Sequence, residues 1–465
     1  MAGGGQQQRA VVLGASMAGL LTAAVLSRSY GSVTVVERDE LPREPAHRRG
    51  VPQSHHTHAL LARGIEVLDE LLPGLRAQLL DAGAHDGDLL GNVRWMVNGH
   101  RLSRRHIGQP LLFCGRELLE GLVRERVRQL RGVTFADGTD VEGLVASADG
   151  RRVKGVRTAP ARGAAERAGE PAGGAADDSG VLTADLVVDT TGRGSRTPRW
   201  LRELGYAPPP VERMTVDVAY ATRPYRLPEG FLGGDRLVLN GWTPDSPRAG
   251  AVVSVEGGRH LVTLAGLLGD RPPTDPKEFE EFAGTLDFPD IGDAVRAGEP
   301  LGEPVAFRYP SNLRHRYELL GDFPQGLLVL GDAFCAFNPL YGQGMTSAAL
   351  QARALAQTLA GDRKPDWRGY FKAAAAAVDD PWEITTFSDL VFPGVQGHRS
   401  PRVRFTNAYL ARLHAAAVSD PALSEAFVHV TGLVAAPRSL LRPDLAARVL
   451  LRGGPLLPVP AARRG

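Results

Sequence analysis

Apolar residues cluster at 10–13, recur at helical spacing from 17 to 27 and return as a β-branched run at 33–36. That order predicts a strand, a tight turn, a helix and a second strand, a βαβ unit at the start of the chain. A second helical spacing, GRELLEGLVRERVRQL at 115–130, predicts an exposed amphipathic helix. Residues 153–157 and 181–188 read as the two strands of a hairpin. Their connection, APARGAAERAGEPAGGAADDSG at 159–180, is low in complexity and is expected to be a mobile loop. From about 208 to 309, alternation in RLVLNGW, GAVVSV and HLVTLAGLL predicts a twisted antiparallel sheet. Beyond 366 the chain carries Ala-rich helical stretches broken by Pro, and it ends in GGPLLPVPAARRG, expected to fray.

Composition narrows the function classes. The 465 residues carry a formal charge of +2 without a Lys/Arg block, which gives no case for nucleic acid or an anionic membrane as partner. Two cysteines, Cys114 and Cys335, cannot make a disulfide framework, and no CxxC or Cys/His cluster suggests a metal. No stretch reaches the ~18 apolar residues of a membrane span. The expectation is a soluble cytoplasmic protein with a small-molecule partner.

Two corners carry chemistry. Gly14-Ala15-Ser16-Met17-Ala18-Gly19 lies between the first strand and helix, and Glu37 ends the next strand. In a dinucleotide fold the helix N-terminus holds a pyrophosphate and such an acid accepts from a ribose hydroxyl. Ser16 stands where bare backbone is usual. An ordinary tight turn is the bland alternative, and this corner alone leaves NAD and FAD open. Far downstream, VLGDAFCAFNPLYGQGM at 329–345 passes Asp332 at a strand end and opens a helix through Pro339, Gly342 and Gly344. Asp332 is placed either to accept from a polyol hydroxyl or to cap a helix. Helix-opening N–H groups after it would suit a flat ring that becomes negative on reduction. FAD has the ribityl chain that such an acid would serve, and NAD does not. By themselves, Arg116 reads as a surface charge, Cys335 as a small buried hydrophobe, and His55, His56 and His58 as loop histidines more readily than as a metal site.

With LGASMAGLL, RRGVPQSHHTHALL, CGRELLEGLV, ADLVVDTTGRGS and LVLGDAFCAFNPLYGQGM in place, the chain resembles the FAD-dependent monooxygenases of the aromatic-hydroxylase (group A) fold. Within them it is similar to the flavin epoxidases that act on polyene precursors of polyether antibiotics. The resemblance implies an α/β fold: a Rossmann-like FAD-binding domain from 1–88, 107–205 and 320–365, an inserted antiparallel-sheet substrate domain from 89–106 and 206–319, and a C-terminal helical region from 366–465. It implies FAD contacts from Gly14, Ser16, Met17, Ala18, Gly19, Glu37 and Arg38. Arg49 would meet the phosphates or flavin edge, Arg116 the phosphate or ribose side, and Asp332 the ribityl hydroxyls. Pro339, Gly342, Gly344 and Met345 would meet the flavin ring.

The implied reaction is epoxidation of an alkene in a polyketide or terpenoid-like intermediate through a flavin C4a-hydroperoxide. It needs dioxygen, no catalytic side chain and no metal. Electrons would come from NADH or NADPH, directly or through a partner flavin reductase. Here the chain departs from the resemblance: Thr191-Gly192 stands where many relatives have Asp-Gly, with Asp189 two residues away. Aromatic hydroxylation, alkene or prenyl reduction, and non-catalytic FAD binding are the alternatives. Trp95, Met96, Trp242, Phe307, Phe337 and Tyr341 are candidates to line the pocket of an apolar substrate.

Overall fold

The computed structural model describes residues 8–48, 50–58, 60–161, 180–360 and 366–452. Along the chain come β1 (Arg9–Leu13), α1 (Met17–Leu26), β2 (Ser32–Val36), β3 (Val93–Val97), α2 (Arg116–Arg128), β4 (Val133–Ala136) and β5 (Leu186–Asp189). Next are β6 (Val211–Arg226), β7 (Leu237–Asn240), β8 (Arg248–Val255), β9 (Arg259–Gly266), α3 (Pro276–Ala283), α4 (Asp290–Ala297) and β10 (Val305–His315). The last are β11 (Leu327–Val329), α5 (Gly344–Leu359), α6 (Trp367–Asp389), α7 (Pro401–Ala417) and α8 (Pro421–Thr431).

Five strands form a parallel sheet in the order β11-β5-β1-β2-β4. The near-continuous apolar runs of β1, β2 and β5 suit a sheet covered on both faces, and the α1 residues are buried all round. Leu13 pairs with Asp189 and with Val36, and Asp189 pairs with Val329. The two corners therefore leave strands separated by a single strand, with their C-terminal ends level. That is where open α/β sheets hold ligands.

The second sheet has nine strands; β10, β6, β9, β8, β7 and β3 are consecutive in it. Its core pairs are antiparallel, while β3 joins β7 in parallel. The outer face packs Met96, Val238, Val252 and Val262 against Phe279 and Ile291 of α3 and α4. The inner face carries Val218, Tyr220 and Ala265, which meet Phe392, Val395 and Val403 from the C-terminal region.

Three expectations need correction. The helix at 115–130 is not exposed: Arg116, Glu120 and Arg124 are buried, because its polar face turns towards the segment before residue 49. The expected hairpin is divided: residues 153–160 pair with Val181–Thr183, but β5 leaves them to join the parallel sheet beside β1. Met96 points into the outer cluster, since neighbours on a strand alternate faces. The expected mobile loop falls largely at 162–179 and the expected frayed end at 453–465; both lie outside the described residues, as does Arg49.

Candidate cofactor and substrate site

At the first corner Gly14 has φ +98°, and its N–H donates to the Val36 carbonyl at 2.7 Å. A Cβ on Gly19 would stand 1.8 Å from the Gly14 carbonyl oxygen, so glycine at 19 lets α1 sit down on the turn. Ser16 takes the extended N-cap conformation, but its side chain makes no capping bond. It faces the cavity together with Gly14, Met17, Ala18 and Arg38; Gly19 lies behind them. Glu37 accepts from Ala15 N at 2.7 Å and Asp39 N at 3.1 Å. Each carboxylate oxygen keeps a further lone pair for a ribose hydroxyl.

Beside this turn lies a buried charge cluster that the sequence did not announce. Arg48 sends Nε to Glu120 Oε1 at 2.8 Å and Nη2 to the Ala15 carbonyl at 3.2 Å, and its Nη1 lies 3.5 Å from Glu37. Arg116 binds the other Glu120 oxygen at 3.0 Å. Burial opposes the Glu120 charge, yet the Arg116 and Arg48 guanidiniums together hold its carboxyl below the ordinary range. Three buried arginines, Arg48, Arg116 and Arg124, surround Glu120, and Arg48 and Arg116 also line the cavity. Guanidinium groups held at the wall in this way fit a diphosphate.

At the second corner Gly331 has φ +73°, and a Cβ there would meet the Ala18 side chain at 2.7 Å, so the two corners touch. Asp332 lines the cavity, and its side chain has no hydrogen-bond partner among the described residues. The helix-cap reading is therefore excluded. Burial pushes its carboxyl up, against Arg193 and Arg116, which pull it down. An acid held in this state gains from a hydroxyl donor. The next turn, Pro339–Tyr341, is capped by Asn338, and Gly342 follows with φ +67°. Pro339, Gly342, Gly344 and Met345 all face the cavity.

Asp189 is fully committed elsewhere. It accepts from Thr191 N and Oγ1 at 2.9 and 2.5 Å, and from Ser195 and Thr197 hydroxyls at 2.5 and 2.6 Å. It braces its own turn and does not line the cavity. What that turn presents is Arg193, over the Tyr309 ring at 4.4 Å and donating to the Ser311 carbonyl at 2.7 Å.

These walls line one open cavity of about 3280 Å³ that runs from Gly14 and Glu37 past Asp332 to the inner face of the second sheet. Trp95, Trp242, Phe307, Phe337 and Tyr341 line it. Its far wall, unanticipated from sequence, is C-terminal: Phe387, Phe392, Tyr409 and Phe427. Asp389 on α6 is another residue with no signature in the sequence. Fully buried, it accepts from the Tyr341 hydroxyl at 2.8 Å and from the Asn312 and Asn338 amides at 2.6 and 3.0 Å. Burial raises its carboxyl to about 6, with those three donors opposing the rise.

The histidines separate. His47 and His55 stack at 3.8 Å, His56 is buried against Tyr220, and His58 faces the cavity with Nδ1 2.8 Å from the His56 carbonyl. Burial and Arg116 lower the His58 imidazole to about 3, so it is neutral. Among the described residues no group of three His, Cys, Asp or Glu is placed to hold a metal, and no helix is long and apolar enough to cross a membrane. Cys335 is buried, and burial pushes its thiol up.

The chain is 32% identical over 437 residues to "Protein Rv3254" of Mycobacterium tuberculosis, an alignment covering 91% of this chain and 89% of that one. A kynurenine 3-monooxygenase of Salinispora arenicola is 28% identical over 362 residues, covering 74% and 70%. Among solved structures, the flavin-dependent brominase Bmp2 superposes with a TM-score of 0.63 at 14% identity, over 95% of this chain and 97% of that one. PqsL, a probable FAD-dependent monooxygenase of Pseudomonas aeruginosa, gives 0.59 at 18% identity, over 83% and 98%. No protein-family model matches the chain. The chain thus belongs to one family with Protein Rv3254, and its α/β body with a helical C-terminal region has the fold of the FAD-dependent monooxygenases.

Proposed function

We propose that the chain is an FAD-dependent monooxygenase that places one oxygen atom of dioxygen on a bulky, largely apolar substrate, with alkene epoxidation of a polyketide or terpenoid-like intermediate as the first reading. The supporting observation is the single cavity that joins the glycine corner, the unpaired Asp332 and an aromatic chamber. Its volume of about 3280 Å³ is several times the ~300–1,000 Å³ of a usual ligand pocket, so a substrate has room beside a dinucleotide.

Arg48, Arg116 and the N–H groups opening α1 would hold the diphosphate, Glu37 the adenosine ribose, and Asp332 the ribityl arm. The turn from Pro339 to Met345 would meet the ring, where the N-terminus of α5 favours negative charge. FAD bound there would supply the redox chemistry and the activation of oxygen, with NADH or NADPH as the electron source, directly or through a reductase. Trp242, Phe307, Phe337 and Phe392 would keep water out. An alkene has no proton to be removed, so this reading asks no base of the walls.

Hydroxylation of a hydroxyl-bearing ring is a second reading, favoured by one feature. The Tyr341 hydroxyl on the cavity wall could pass a proton to Asp389 while taking one from substrate. The test is anaerobic reduction of the FAD-loaded protein with dithionite, followed by mixing with oxygenated buffer containing a polyene or a phenol. A polyene product heavier by one oxygen atom is the expected result. An oxygenated phenol alone favours the second reading, and a hydrogenated product or none contradicts the proposal.

A further inference from the structure

The cavity contains a phenol that nothing in the protein uses. Tyr220 lies on the inner face of β6, paired with Phe307 on β10 and Ala265 on β9. It is 4% exposed, and its ring is held edge-on to His56 at 4.6 Å and tilted against Phe307 at 5.4 Å. Its hydroxyl has no hydrogen-bond partner among the described residues. A buried Tyr hydroxyl ordinarily finds one, and leaving it without one is costly. Three other buried phenols, Tyr30, Tyr309 and Tyr317, also lack partners among the described residues, but Tyr30 does not line the cavity and the Tyr309 and Tyr317 oxygens are sealed from any probe; the Tyr220 oxygen is not sealed, and the residue lines the cavity.

The surroundings make this hydroxyl a donor. Burial pushes the Tyr220 phenol up, so it keeps its proton. The nearby hydroxyls are already satisfied by one another: Thr57 meets Thr263 at 2.8 Å, Thr263 meets Thr222 at 2.6 Å, and Thr222 meets His56 Nδ1 at 2.9 Å. Around it the walls are Phe307, Ala265 and the aromatic chamber. A hydroxyl donor left over on a wall whose other nearby hydroxyls are paired with one another can orient a ligand without holding it by charge.

We propose that Tyr220 is a specificity-determining residue that donates a hydrogen bond to a carbonyl oxygen carried on the apolar substrate. The substrate class is then an unsaturated carbonyl compound and not a plain hydrocarbon. The inference rests on the monooxygenase reading for what happens next to that substrate, but not for the binding itself.

The test is equilibrium dialysis of the full chain loaded with oxidised FAD, without reductant, against two probes of nearly identical shape: 2-acetylnaphthalene, with a carbonyl, and 2-isopropenylnaphthalene, with a methylene in its place. The wild-type protein should hold the ketone about fivefold more tightly, the ratio expected for one neutral hydrogen bond. In Tyr220→Phe the ratio should fall to about one, with flavin content and melting midpoint no lower than wild type. Tyr309→Phe, which removes a sealed hydroxyl, should keep the wild-type ratio. Failure of the wild type to bind the ketone or to prefer it, persistence of the preference in Tyr220→Phe, or its loss in Tyr309→Phe overturns the inference. Failure of the protein to take up FAD overturns the functional reading instead, and the same probe ratio measured on the flavin-free chain still decides the role of Tyr220.

Discussion

Two aspartates at the site show how environment decides what a carboxylate is for. Asp332 has no hydrogen-bond partner among the described residues and faces the cavity, whereas Asp389 is fully buried and wrapped by three donors. Asp389 also gives a pH signature. Its folded value is raised from 3.8 to about 6, so the folded chain binds the proton more tightly than the unfolded one. The linked stability is full below the unfolded value and is lost as pH rises through the folded one. Asp389→Asn removes that dependence. Between about pH 4 and pH 6.5 the variant should therefore gain on wild type by up to roughly 3 kcal/mol, read by denaturant melts at each pH. A constant difference between the two across this range would contradict the assignment.

Among elements, the βαβ unit was the most legible, and the reason is local. Gly14, Gly19 and the apolar runs of β1 and β2 encode the turn, the close approach and the burial within thirty residues. Gly19→Ala should thus be severe, because its Cβ would meet backbone at 1.8 Å and not a side chain that can move. Destabilisation by roughly 3 kcal/mol or more, together with loss of flavin uptake, is the expected outcome, measured by urea denaturation and absorbance. Helix α2 was legible as a helix but misread as exposed, since periodicity reports an apolar face and not what covers the polar one. Its Arg116 and Glu120 are buried because Arg48, seventy residues earlier, completes their charges. Such pairing across distant segments leaves no local trace. Met96 was misplaced for a simpler reason: next to Trp95 on one strand, both could not face the cavity.

On the scale of the whole molecule, the sequence indicated that two remote corners belong together through their chemistry, a glycine turn with an acid and a second acid before a glycine-opened helix. Five aromatic candidates of the sequence, Trp95, Trp242, Phe307, Phe337 and Tyr341, do line the chamber beyond them, but its C-terminal far wall had no sign there. That space exists because α6, α7 and α8 fold back against the inner face of the second sheet, and Ala-rich helices broken by Pro look alike whether they wall a cavity or cover a surface. The central claim is that one elongated cofactor spans both corners. Its most direct measurement is flavin bound per chain, by absorbance after incubation of the flavin-free protein with FAD and gel filtration, for wild type and Asp332→Ala. The account predicts one FAD per wild-type chain and affinity weakened about tenfold or more in the variant, the loss of a buried hydrogen bond to a charged group, with no fall in the variant's melting midpoint without flavin. A wild-type chain that emerges colourless, or equal affinity in both, would contradict it.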